Sequence, residues 1–197
     1  MAWQKSGFRI IGAVPLLCHN GQTADPLNSF SVALKEISSK RKKTDVDQIE
    51  MAHLQFIASL YLKDGKPCIP GEVVEATLLN AGKTLKKGKD VSRAITCEDS
   101  FPLQYEGPTD PEKMWEASLK KPSNTYLTFT VTVKIKNNRV PRTRAKFDKW
   151  AIDAVVVYDD RVFNKKEIVE LMQIAGRDIG FGDWRPKYGR FTVKEIA

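Results

Sequence analysis

Tyr126-Leu-Thr-Phe-Thr-Val-Thr-Val-Lys-Ile-Lys136 alternates apolar and polar residues without a break. Successive side chains of an extended backbone point to opposite faces, so Leu127, Phe129, Val131, Val133 and Ile135 fall on one side. The stretch predicts a strand with one buried face. Residues 52–62 alternate in the same way, with Leu54, Phe56, Ala58, Leu60 and Leu62 on one face. Trp150, Ile152, Ala154, Val156 and Tyr158 mark another strand, and residues 190–196 a shorter last one. Residues 8–17 read as an apolar strand whose glycine and proline predict a bulge or an edge position.

Helical spacing appears between these strands. Leu27, Phe30, Ala33, Leu34 and Ile37 form one apolar stripe, with Asp25 as its expected N-cap and Pro26 at its first position. Val73, Val74, Thr77, Leu78 and Ala81 form a second stripe after the Pro70-Gly71 turn. Ile168, Leu171, Met172 and Ala175 form a third, capped by Asn164 and ending near Gly176 or Gly180. A shorter helix is expected from Pro111, carrying Trp115 and Leu119. From residue 51 onward the order is strand, helix, strand, strand, helix, strand. That order is the split βαβ pattern of the ferredoxin-like (RRM-like) α+β fold. An N-terminal strand and a helical, basic insertion over residues 1–50 precede it. No repeat and no linker divides residues 1–197, so a single domain is expected.

The chain has 197 residues, 42% of them hydrophobic, which is enough for a core. Lys and Arg number 32 against 24 acidic residues, a net charge of +8. A surplus of that size calls for an anionic partner: nucleic acid, an acidic membrane or an acidic protein. No apolar run reaches the roughly 18 residues of a membrane span, and the opening Met1-Ala-Trp-Gln-Lys lacks the pattern of a signal peptide. Cys18, Cys68 and Cys97 are an odd count without CxxC spacing and read as reduced thiols of a cytoplasmic protein. With His19 and His53 as the histidines, no transition-metal site and no cofactor are expected.

The basic residues gather in three places. Lys40, Arg41, Lys42 and Lys43 fall between a helix and a strand. Lys83, Lys86, Lys87, Lys89 and Arg93 run out of the second helix. Lys134, Lys136, Arg139, Arg142, Arg144, Lys146 and Lys149 straddle a turn between strands. A lysine cluster in a loop is often merely solvated. Arginine, however, suits bidentate phosphate contacts, and three arginines stand in one hairpin connection. No basic amphipathic helix with aromatic anchors accompanies the charge, so nucleic acid leads and no membrane is expected.

A fourth block, Gly180-Phe-Gly-Asp-Trp-Arg-Pro-Lys-Tyr-Gly-Arg190, joins the last helix to the last strand. Glycines let backbone pass close to a ligand, and Trp184 or Tyr188 is suited to stack on a base, with Arg185 and Lys187 beside them. Alternatively, the block is a tight connection whose Trp184 packs on the core and whose Asp183 pairs with Arg185.

Two motifs carry a family resemblance. Lys66-Pro-Cys-Ile-Pro-Gly-Glu-Val-Val-Glu-Ala76 resembles the proline-glycine-then-helix segment of the RAMP superfamily, and the block from Gly180 to Arg190 resembles its glycine-rich loop. RAMP proteins build the RNA-guided complexes of CRISPR systems, and the likeness is to the backbone subunit that polymerises along the guide RNA. The pattern also resembles small phage-encoded proteins of unassigned role. The resemblance implies an RRM-like core, RNA as partner, self-association or related subunits, and RNA-gripping insertions at residues 19–50 and 137–147. Among RAMP relatives, some cleave RNA with a histidine and others with an aspartate and a divalent metal, which brings His19, Asp25, Asp45 and Asp47 under consideration. Asp25 has a capping role, Asp45 and Asp47 read as exposed, and His53 lies on the polar side of its expected strand. The resulting expectation is a non-catalytic protein binding single-stranded nucleic acid, RNA rather than DNA; the alternatives are a metal-dependent endoribonuclease and a protein-interaction subunit.

Overall fold

The computed structural model describes residues 3–97, 99–122, 124–135 and 138–196. In chain order the elements begin with β1 (Trp3–Gly12), β2 (Leu16–Leu17), α1 (Ser29–Ser39), α2 (Asp45–Ser59), β3 (Leu62–Lys63), β4 (Lys66–Pro70) and α3 (Gly71–Thr84). They continue with α4 (Gly88–Ala94), β5 (Ile95–Cys97), β6 (Ser100–Pro102), α5 (Pro111–Leu119) and β7 (Thr128–Ile135). The last are β8 (Asn138–Phe147), β9 (Ala151–Asp159), α6 (Lys165–Ile174) and β10 (Phe191–Ile196). The fold is α+β, with antiparallel pairing. Lys136, expected to end a strand and to join the third basic cluster, lies outside the described residues.

The chain forms two compact units. The first comprises Met1–Leu17, Leu62–Glu106 and Asp148–Ala197, and the second Cys18–Tyr61 and Gly107–Phe147. The first unit is built on a four-stranded sheet in the order β10-β1-β9-β5. Register pairs Phe8 with Ala154 and Ile10 with Ile152, so these side chains share one face. All four are fully buried, and burying a side chain such as Phe8 stabilises by roughly 1.5–3 kcal/mol. On the helical side α3 packs against α6 and β5, and α6 against β10. Asn164 starts α6 as expected, its side chain accepting from Glu167 N while the Glu167 carboxylate accepts from Asn164 N. Trp150, Phe181 and Phe191 close one end, with Phe181 and Phe191 4.5 Å apart.

Residues 8–17 differ from expectation. β1 lies between β10 and β9, not at an edge, because Pro15 falls beyond the strand's end. Gly12 is the terminal residue, where an added Cβ would stand 2.2 Å from Trp150 Nε1. Its small size makes room for that indole.

The second unit holds α1, α2, α5 and the β7–β8 hairpin. Residues 52–62 do not form the expected strand; α2 occupies most of them. The helix is started by a capping box. Thr44 Oγ1 accepts from Asp47 N, and the Asp47 carboxylate accepts from Thr44 N at 2.8 Å. Asp47 is therefore buried, contrary to the exposed position expected. His53 sits on this helix and pairs with Glu112 at 2.8 Å. The expected cap of α1 also moves. Asn28 accepts from Phe30 N, while Asp25 ends the preceding 3-10 turn and accepts from Leu27 N.

Both faces of β7 are partly covered: Leu127 is buried, as expected, while Thr128 and Thr130 are half-buried and Thr132 and Lys134 exposed. Thr143 and Ala145 are buried toward α2, where Gln55 Oε1 accepts from Thr143 N and Ser59 Oγ accepts from Ala145 N. Thr130 lies across from Thr143, and their hydroxyls pair at 2.9 Å. Phe129, Val131 and Val133 remain half-buried. Threonine supplies a methyl to pack and satisfies its hydroxyl across the strands, so Thr130 and Thr143 can share the face turned to α2.

Candidate nucleic-acid interface

A groove of about 760 Å³ runs through the second unit between α1, α2 and β8. Lys35 comes from α1, Lys43 from the turn before α2, and Arg139 and Arg142 from β8. No Asp or Glu side chain among the described residues lines it. Among the described residues none of these four cations enters an ion pair. Lys43 Nζ donates to the Lys40 carbonyl, which leaves its charge uncompensated. Arg142 also borders a smaller cavity of about 190 Å³ with His19 and Arg144. Four like charges around one concave surface repel one another and favour an anion there.

The other predicted cations stand differently. Lys40 is bound by Asp47, whose carboxyl is held down at about 2 by the Lys40 ammonium and the Thr44 donors. Arg41 and Lys42 are exposed in the turn between α1 and α2, rather than between a helix and a strand. In the first unit, Lys87 pairs with Glu167 at 2.8 Å and lies 5.8 Å from the centre of the Phe163 ring. That carboxylate raises the Lys87 pKa. Lys83 reaches Asn80 within its own helix, Arg93 pairs with Asp90, and Lys86 and Lys89 are exposed. The structure thus gathers Lys43, Arg139 and Arg142, sets Arg144 beside them, and leaves the Lys83–Lys89 cluster in the first unit.

The glycine-rich block belongs to the first unit. Gly182 has φ +71°, and an added Cβ would stand 2.1 Å from the Leu17 carbonyl; at Gly189, φ +75°, it would stand 1.9 Å from the Phe181 carbonyl. These glycines are required by backbone packed on backbone. The side chain sent into the core is Phe181, fully buried, while Trp184 is 37% exposed. Trp184 and Tyr188 lie 6.2 Å apart, and Lys187 Nζ sits 5.9 Å from the Tyr188 ring centre. Arg185 and Lys187 are exposed beside them.

Sequence reasoning misses Lys35. Its signal is weak: one lysine on the polar side of α1, a turn before the Lys40–Lys43 run. Of the residues considered for catalysis, Asp47 is committed to the capping box, Asp25 to its turn, and Asp45 opens α2. His19 borders the small cavity. Among the described residues no group of three His, Cys, Asp or Glu side chains is placed to hold a metal. Cys97 is half-buried, its thiol pushed up to about 12 by burial and by Glu75 and Glu72. No helix among the described residues is long and apolar enough to cross a membrane.

The class defined at this point is an α+β protein with an unneutralised basic groove. No protein-family model and no curated protein matches the sequence. In three dimensions the chain is similar to a chain of the Type III-B Cmr-beta complex bound to cognate target RNA, with a TM-score of 0.55 and 11% identity. The likeness covers 98% of this chain and 61% of that one, so this chain spans 61% of its neighbour's length. At that identity the two share a fold.

Proposed function

We propose that this protein binds single-stranded RNA as a RAMP-type backbone subunit, assembling along the strand with copies of itself or related subunits in the cytoplasm. The observation that carries the reading is the groove in which Lys35, Lys43, Arg139 and Arg142 meet without an opposing carboxylate. Spaced cations along a cleft track a phosphate backbone. The fold reading beneath it is a ferredoxin-like, RRM-like core in the first unit, with β1 as its first strand in place of residues 52–62, which are largely helical. Its support is the run β1, α3, β5, β9, α6, β10 with sheet order β10-β1-β9-β5, which is the connectivity of a split βαβ core. The fold likeness to a chain of the Cmr-beta complex points the same way.

In this reading the protein holds its strand and does not cut it. Trp184 and Tyr188, with Arg185 and Lys187, offer a stacking platform on the first unit. The test uses purified protein with labelled single-stranded RNA and, separately, DNA, with and without magnesium or manganese. The expected result is retention of RNA, weaker retention of DNA, and intact strands throughout. Cleavage that vanishes in Asp25→Ala, with helix content kept, would replace the binder by a metal-dependent nuclease. Equal indifference to both nucleic acids would remove the reading altogether.

A further inference from the structure

We infer that a second cavity of the same unit, opening beside the basic groove, seats one unstacked base of the bound strand. The inference rests on the groove as an RNA site and adds the part of the nucleotide the groove does not explain. This cavity measures about 420 Å³, within the range of small-ligand sites. Its walls are largely apolar: Ile49, Met51 and Ala52 from α2, Trp115 and Leu119 from α5, and Pro141 from β8. Gln48, Met51, Gln55 and Pro141 border both this cavity and the basic groove, so the two are continuous.

The wall is prebuilt. Trp115 is held between neighbours, its ring 5.6 Å from that of Phe56 and 5.3 Å from that of His53. Gln55 stands where the base seat and the groove meet, and it also borders the small cavity beside His19 and Arg142. Its Oε1 accepts from Thr143 N at 2.8 Å, which fixes the amide and leaves Nε2 as a donor without a partner among the described residues. A base matches this combination: flat apolar faces for Trp115, Met51 and Pro141, and an edge with acceptors for Gln55. The cations of the adjoining groove, Lys35, Lys43, Arg139 and Arg142, are available to the phosphates that flank that nucleotide. A protein helix laid into the same cleft would instead have to be acidic along one edge and would leave the Gln55 donor without a role.

The experiment compares two RNAs of about ten nucleotides with the same backbone, one bearing bases and one abasic throughout. Wild-type protein should bind the base-bearing strand about tenfold more tightly. Ala52→Leu, which fills the cavity, should reduce that preference to the part Trp184 and Tyr188 supply, and leave both the abasic affinity and the melting temperature unchanged. If Ala52→Leu lowers the melting temperature, Ile49→Ala at the exposed rim replaces it and should shrink the preference. Equal binding of the two RNAs by wild type, or a preference that neither substitution diminishes, overturns the base seat. Salt-dependent binding of the abasic strand with no base preference sinks the seat alone. Abasic binding that ignores salt sinks the groove reading and the seat with it.

Discussion

The two units differ in how they place positive charge. In the first, many cations are matched at close range, Arg9 with Asp153, Lys87 with Glu167, Arg161 with Asp159, Lys165 with Glu195 and Arg177 with Asp178, while Lys86, Lys89, Arg185 and Lys187 stand exposed and scattered rather than around one groove. In the second, Asp47 neutralises Lys40, but the groove cations are matched by nothing among the described residues. Exposed ion pairs contribute only about 0–1 kcal/mol each, so the first unit gains little stability from its pairs. What the pairs do is cancel the field that would attract an anion. A cleft left unmatched keeps that field, and on that difference rests the proposal that the second unit is the side that grips phosphate.

The largest test of this division concerns the rigid side. Gly189→Ala places a Cβ where the Phe181 carbonyl stands, at a backbone angle that side chains rarely adopt. We expect a loss of about 4 kcal/mol or more, or failure to fold. Gly21→Ala in the second unit meets open space and should shift stability by about 0.5 kcal/mol or less. Thermal unfolding of both variants decides the matter; similar small effects would mean that the glycine-rich block is not a scaffold.

The groove supplies the next test. Replacing Lys35, Lys43, Arg139 and Arg142 together by Ala should flatten the slope of log affinity against log salt. On a single strand the change should be about 0.7 for each phosphate that is no longer neutralised. Replacing Lys87 and Arg93 by Ala should leave the slope as it was, because Glu167 and Asp90 already cancel them. If the second pair flattens the slope as much as the four do, unmatched charge is not what marks the site.

How much of the fold is legible in the sequence depends on the range of the signal. β9 and α6 are legible because alternation and the Asn164–Glu167 box are local. α2 reads as a strand because Leu54, Phe56, Ala58, Leu60 and Leu62 also alternate. The opposing signal, Thr44 with Asp47, is present but uses aspartate where glutamate is the commoner partner. The threonine side of β7 is partly covered along with its apolar side because a threonine's methyl and its hydroxyl can both be satisfied against a neighbour that sequence does not name. The same limit governs the site. Lys43, Arg139 and Arg142 stand out as clusters, yet nothing local brings Lys35 to Arg139 or Glu167 to Lys87, 80 residues away. Sequence reveals where cations gather; the fold decides which are cancelled.

Trp184 sharpens the comparison from the other direction, as an exposed aromatic on the scaffold side. Trp184→Ala should weaken RNA binding by about 1–3 kcal/mol and leave the melting temperature essentially unmoved, since Phe181 fills the core. A fall of several degrees with unchanged binding would assign the loop wholly to the scaffold.

The smallest expected effect lies at Lys40, the one predicted cation of the first cluster that the second unit does cancel. The Asp47 carboxyl is held at about 2 against an ordinary 3.8 by the Lys40 ammonium and the Thr44 donors. A carboxyl depressed in the folded state stabilises above its unfolded pKa, and that contribution drains away as pH falls from about 4 to about 2. Asp47→Asn keeps the shape of the capping residue and removes the titration. Its stability, followed by denaturant unfolding from pH 7 downwards, should start below wild type and converge on it through that window. The substitution also releases Lys40, a turn away from Lys43, so the salt slope on RNA should steepen by up to about 0.7, one phosphate's worth. Parallel stability curves would show that the ion pair does not fasten α2. An unchanged salt slope beside converging curves would show that the groove ends at Lys43.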